Sequence, residues 1–380
     1  MQIDKIMRKA VCLLLTLAML CGVFASATDT NSDAATDDET EHELWPIPPQ
    51  NEEERERYEL GLPPKYALGF PNATGEKSKL VTESPNVGTG ENNEVLHPHT
   101  KEEAAALGIP THGWDMLQAK ATKPSSLNDA PSLRVGTYEG NVWTIKGTHV
   151  FDPETNNGGN YFAFSPIYNG LYKSCYAMYS MPYLQNKNSS GTVVLRNAYA
   201  SLGIYGNDIG VDLGIANWGN GWFPYSYDIL GHNFVRYHGE YVVPSGTAYI
   251  ELSASAISST SVRLYVNCLD ADGDTIGDGF LKTIPITAGA LTMASNGLPK
   301  CRFYRFSSLI PAENQTNNIN DGTYMTDLTV DYCQLISNSG SVNWGIATTK
   351  IESAWVDEYS RVSLYYSSQT DWFSVTHSSP

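Results

Sequence analysis

The chain has 380 residues, with 41 Asp and Glu against 24 Lys and Arg, for a formal net charge of -17. That balance disfavours nucleic acid and anionic surfaces as partners. At the N-terminus, Lys5, Arg8 and Lys9 precede an apolar run from Ala10 to Phe24 that closes on Ala25-Ser26-Ala27. A basic region, a short apolar core and an Ala-x-Ala site describe a secretory signal peptide over residues 1–27. The run is short for a membrane span and no other follows, so no span is expected after signal removal.

Residues 28–132 read as an acidic, Pro-rich, largely disordered leader. Asp29, Asp33, Asp37, Asp38, Glu39, Glu41 and Glu43 precede the run Glu52-Glu53-Glu54-Arg55-Glu56-Arg57. Charge at that density solvates a chain and leaves little apolar surface to offset its entropy. Trp45-Pro46-Ile47-Pro48-Pro49 and Leu62-Pro63-Pro64 read as extended, polyproline-like pieces. Lys101 to Leu107 reads as one or two helical turns, stopped by Gly108 and Pro110. His97 and His99 flank a proline and are expected to be exposed side chains.

From Leu133 to the C-terminus, short alternating runs are separated by turn residues, the pattern of an antiparallel sheet packed on one side. After Pro244-Ser245-Gly246, Ala248, Ile250, Leu252, Ala254 and Ala256 alternate with Tyr249, Glu251, Ser253 and Ser255. Beyond Ser258-Ser259-Thr260, Val262, Leu264, Val266 and Cys268 alternate with Arg263, Tyr265 and Asn267. Tyr172–Met181, Thr192–Tyr205, Ile209–Ile215, Arg302–Ser308 and Met325–Leu335 read as further strands. About 250 residues of this kind, residues 133–380, fit one large sandwich. Of the six cysteines, Cys12 and Cys21 leave with the signal; Cys175, Cys268, Cys301 and Cys333 permit two disulfides, or serve as small buried apolar residues.

The stretch Leu202-Gly203-Ile204-Tyr205-Gly206-Asn207-Asp208-Ile209-Gly210-Val211-Asp212-Leu213 carries a resemblance. With Gly221-Trp222-Phe223-Pro224 and the hairpin after Pro244, it resembles the core of the glutamic peptidases (eqolisins) over residues 195–335. Closer in style are the YrpD-type exported proteins of Gram-positive bacteria. Both resemblances imply an all-β, concanavalin-like jelly-roll sandwich of two antiparallel sheets, with a ligand groove on a concave face. In the peptidases a glutamine and a glutamate form the catalytic dyad. Here Asp208 stands where that glutamine would be, and Tyr304 or Phe306 stands where the glutamate would be.

Strand parity turns Val211, Leu213 and Ile215 into the sandwich, and Asp208, Gly210 and Asp212 toward the groove. An Asp208–Arg302 ion pair would lower the aspartate pKa and remove its basicity, leaving a pseudo-active site. A glycosidase dyad assembled from separate strands, such as Asp208 with Glu251, is the hydrolase alternative. Asp270-Ala271-Asp272-Gly273-Asp274 reads as a charged turn rather than a calcium loop, since neither the glycine nor the closing glutamate of such a loop is in place. Trp218, Trp222, Phe223, Tyr225 and Tyr227 crowd one segment beside Asn217 and Asn220. Rings of this kind either stack on sugars or plug the end of a sandwich.

The sequence therefore leads to a secreted, non-catalytic β-sandwich that binds glycan, such as polysaccharide, or another cell-envelope ligand in its concave groove. The expected binding residues are Asp208, Asp212, Trp218, Trp222, Tyr225, Glu251, Arg302 and Tyr304, with no cofactor. A diverged hydrolase and a purely structural or adhesive exoprotein are the alternatives.

Overall fold

The computed structural model describes residues 52, 55, 57, 93–111, 136–139, 142–145, 160–166, 172–206, 210–289, 291–313, 315, 321–337, 341–343, 349–350, 362–366 and 373–378. The chain divides into two units, residues 1–42 and 43–380, and all of these residues belong to the second. The expected signal peptide and the polyproline-like pieces lie outside the described residues.

The strands are β1 (Glu94–Leu96), β2 (Gly136–Glu139), β3 (Val142–Ile145), β4 (Asn160–Pro166), β5 (Ser174–Ser180), β6 (Tyr183–Gln185), β7 (Arg196–Tyr205), β8 (Gly210–Asn217), β9 (Trp222–Asp228) and β10 (Asn233–Arg236). They continue as β11 (Tyr249–Ser258), β12 (Ser261–Leu269), β13 (Phe280–Pro285), β14 (Arg302–Pro311), β15 (Tyr324–Ile336), β16 (Ser341–Asn343), β17 (Thr349–Lys350), β18 (Val362–Tyr366) and β19 (Phe373–Ser378). Helix α1 (Lys101–Ala106) follows β1.

These strands form two antiparallel sheets. The first has eight strands in the order β1-β10-β9-β8-β7-β14-β4-β17. The second has eleven, in the order β13-β12-β11-β5-β15-β19-β18-β3-β2, with β6 and β16 also paired to β15. The hairpin expected after Pro244 is β11–β12, with Ser258 opposite Ser261 at its turn and Leu252 opposite Val266.

Parity decides the core. Ala198, Ala200, Leu202 and Ile204 of β7 and Val211, Leu213 and Ile215 of β8 form one inner layer. Ile250, Leu252 and Ala254 of β11, Val262, Leu264 and Val266 of β12, and Cys175 and Ala177 of β5 form the facing layer. Apolar faces pressed together in this way make a β-sandwich, the architecture expected of the sequence.

The outer faces depart from simple alternation. Tyr199, Tyr205, Phe223, Tyr225, Tyr227, Tyr304 and Phe306 form a second apolar cluster on the outside of the first sheet. Tyr176, Met178, Tyr265, Leu269, Leu281 and Ile336 form a third on the outside of the second. β8 is therefore buried along its whole length, Asp212 included. Cys175, Cys268 and Cys333 are buried and Cys301 is half-buried, and no disulfide joins these four. At Asp270–Asp274 the Asp270 carboxylate accepts from the backbone N–H groups of Asp272 and Asp274 (2.9 and 3.0 Å), while Gly273 takes φ +88°. This is a side-chain-capped turn, as its sequence indicated.

Candidate functional site

The outer face of the first sheet is the face on which the groove was expected. Its floor is shaped by two glycines. A Cβ at Gly203 would lie 2.5 Å from the Tyr205 ring, and one at Gly210 would lie 2.1 Å from it. The ring of Tyr205 thus folds across both, and its hydroxyl donates to the Asp212 carboxylate. Burial first, and then the Asp212 charge, push the Tyr205 pKa well up, so the phenol remains a proton donor. Tyr304, opposite Gly203 on β14, packs edge-on against Tyr205 with ring centroids 4.9 Å apart. An aromatic ring thus stands where the resemblance implies a glutamate, and the described carboxylate on this part of the face is held by a tyrosine.

Another part of this outer face, around Asn197, Tyr199 and Phe234, is covered by residues 93–111. β1 pairs with β10 at the sheet edge, Glu94 opposite Arg236 and Leu96 opposite Phe234. Glu94 also forms an ion pair with Arg236, and Asn93 donates to Glu240. His97 and His99 are exposed, as expected, and the His99 ring meets that of His232 with centroids 4.9 Å apart. Helix α1 then begins at Thr100, whose hydroxyl accepts from the Glu103 N–H (3.1 Å), while the Glu103 carboxylate accepts from the His99 N–H (2.7 Å). Such reciprocal bonds satisfy N-terminal amides that a short helix leaves open.

The helix ends where Gly108 and Pro110 predicted, and its exit inserts into the floor. The Gly108 carbonyl accepts from the Tyr199 hydroxyl (2.6 Å) and the Asn197 amide (3.0 Å). Tyr199 in turn accepts from Trp218 Nε1 (2.9 Å), and the Arg236 guanidinium lies 4.1 Å from the Trp218 ring centroid. Ala104 and Ile109, both fully buried, join the aromatic cluster.

Gly108 is a sharp test of this fit. It holds φ +69°, and a Cβ there would lie 2.8 Å from the Pro311 carbonyl oxygen and 2.5 Å from Asn197 Nδ2. The left-handed conformation alone costs a side chain about 1–2 kcal/mol, and a backbone oxygen cannot move aside cheaply. Gly108→Ala is expected to loosen residues 93–111 while leaving the sandwich folded. Amide hydrogen exchange checks this, with protection lost in β1 and α1 and retained in β7 and β8.

The expected binding residues therefore separate. Asp212, Trp218, Tyr225 and Tyr304 share the outer face of the first sheet; Trp218 and Tyr225 pack with Phe234, opposite Leu96 of β1, while Asp212 and Tyr304 meet Tyr205. Trp222 points the other way, into the inter-sheet core, at 7% exposure. Asp208 lies outside the described residues, and Arg302 is described only by its backbone, opposite Tyr205.

Glu251 does not belong with them. It is on the outer face of the second sheet, and the wet position that alternation assigned to it is 1% exposed. The reason is again the leader: Arg57, 5% exposed, donates to Glu251 at 2.6 Å. Tyr176 (2.9 Å) and Asn267 (2.7 Å) donate to the same carboxylate. Burial pushes the Glu251 carboxyl up, but Arg57 and these hydrogen bonds outweigh it and hold it below its ordinary value. Arg57 lies in an acidic run with no pattern to mark it. Asn267, by contrast, was legible as the cross-strand partner of Glu251 once the hairpin register was fixed.

Among the described residues, no group of three or more His, Cys, Asp or Glu is placed to hold a metal, and no helix is long and apolar enough to cross a membrane. No protein-family profile and no curated protein matches the chain. Among solved structures, it is similar to scytalido-glutamic peptidase with a peptide-based transition-state analogue, at 13% identity and a TM-score of 0.37 over 58% of this chain and 98% of that one. It is similar at the same identity and coverage to SCP-B, a member of the eqolisin family of peptidases, in complex with the tripeptide Ala-Ile-His, with a TM-score of 0.36. These are likenesses at low identity, in keeping with the resemblance read from residues 195–335.

Proposed function

We propose that the protein is an exported β-sandwich binding module whose first sheet holds a polypeptide segment on its outer face, the place being taken in cis by residues 93–111. The observation that carries this reading is the Gly108–Ile109 contact. A main-chain carbonyl is received by Tyr199 and Asn197, and the next side chain enters the aromatic floor fully buried. Strand addition at β10 supplies the rest. Main-chain hydrogen bonds along an edge, with pockets for alternate side chains, are the usual physics of peptide capture by a sheet. Export rests on the sequence of residues 1–27.

The test uses full-length Gly108→Ala, in which the cis segment is loosened. A labelled peptide of residues 93–111 is expected to bind this variant saturably and the wild type far more weakly. A polysaccharide panel run on the same two proteins decides the glycan reading. Binding of a polysaccharide, with no binding of the peptide, would transfer the floor to a sugar ligand.

A further inference from the structure

The second sheet presents a separate built site, independent of the reading of the first. Glu251 projects from β11, in the middle of the sheet, between Met178 of β5 and Asn267 of β12. Its Oε1 receives the Tyr176 hydroxyl and its Oε2 receives the Asn267 amide, so the carboxylate is oriented by the sandwich itself. Tyr176, Asn267 and Tyr265 are all buried, and Tyr332 packs edge-on against Tyr176 at 6.2 Å. Into this enclosure Arg57 brings a planar cation from a point 194 residues away in the chain.

We propose that Glu251, Tyr176 and Asn267 form a guanidinium-binding pocket whose ligand class is the arginine side chain of a basic polypeptide segment, with Arg57 filling it in cis. Three features of the site support this. A desolvated carboxylate whose orientation is already fixed by neutral donors is what a guanidinium needs, since little reorganisation remains on binding. Phenol rings around it suit a weakly hydrated, stacking cation better than a lysine ammonium.

The third feature is charge. The cis occupant comes on an acidic stretch: Arg57 follows Glu52, Glu53, Glu54 and Glu56 on a chain of net charge -17. An arginine flanked by lysines would meet the same pocket with long-range attraction in place of repulsion. On this proposal the arginine of a basic partner takes the place of Arg57.

The experiment uses full-length Arg57→Ala, which vacates the pocket. Agmatine is expected to raise its Tm saturably. Carbamoylputrescine, nearly isosteric with a neutral urea in place of the guanidinium, is expected to leave it unchanged, and Arg57→Ala/Glu251→Gln should respond to neither. A labelled Gly-Lys-Arg-Lys-Gly peptide should bind Arg57→Ala at least about tenfold more tightly than its citrulline twin, the difference expected for hydrogen bonds to a charged group. Should Arg57→Ala fail to fold, Arg57→Lys keeps the charge and takes its place, with agmatine raising its Tm and putrescine not doing so. No thermal response to agmatine, or equal binding of the arginine and citrulline peptides, overturns the pocket. Because none of these probes touches residues 93–111, failure here leaves the reading of the first sheet standing.

Discussion

Leu252→Asp is expected to abolish cooperative folding. Leu252 is fully buried between the sheets, opposite Val266 on one neighbouring strand and Ala177 on the other. Removing the leucine forfeits about 2–3 kcal/mol of apolar burial. The carboxyl that replaces it finds no donor among those aliphatic neighbours, and leaving it unsatisfied costs roughly 1–3 kcal/mol more even when it takes up a proton. The sum approaches the 5–15 kcal/mol typical of a whole domain. Arg263→Gln, on the other face of the same hairpin, removes a half-buried side chain whose Nε lies a long 3.5 Å from Thr283. It should change stability by no more than about 0.5 kcal/mol. Thermal unfolding followed by circular dichroism compares the two, and a near-native transition for Leu252→Asp would show the strand parity to be wrong.

That parity was legible because a sheet side chain has only two directions, so a run such as Ile250-Glu251-Leu252-Ser253-Ala254 reveals its inner face directly. β5, β7, β8, β14 and β15 were legible on the same grounds, as was the helix from Lys101, through its glycine and proline stop. What alternation does not reveal is what lies beyond the outer face. Glu251 looks wet in sequence, yet it is buried against Arg57, a residue remote in the chain, while Ser253 is buried between Tyr176 and Tyr265 on the neighbouring strands. Tyr205 shows the same limit at closer range: Gly203 and Gly210, two glycines of the peptidase-like stretch, make room for its ring. Trp222 opens β9 facing the core, whereas Trp218 lies in the connection between β8 and β9 and stacks on Phe234 outside it, a separation that the aromatic-rich sequence hides.

Glu251→Gln is expected to be strongly destabilising, although its place on a polar strand face gives no warning. The substitution leaves the Arg57 guanidinium buried without its counter-charge, and breaking a buried pair from one side costs about 3–5 kcal/mol. The pH dependence gives the signature. The Glu251 carboxyl of the folded protein lies below its ordinary value of 4.5. Its contribution is therefore complete above that value and is lost as pH falls through the lower, folded one. Asp321, held down against its own burial by hydrogen bonds from Thr323 and Arg196, loses its contribution in the same direction, but it does so equally in wild type and variant. The difference between the two proteins thus isolates Glu251. Denaturant titrations should show a gap of several kcal/mol near neutrality that narrows as pH falls below about 4.5. A gap that stays constant into strong acid would show that the carboxylate's charge is not what holds Arg57.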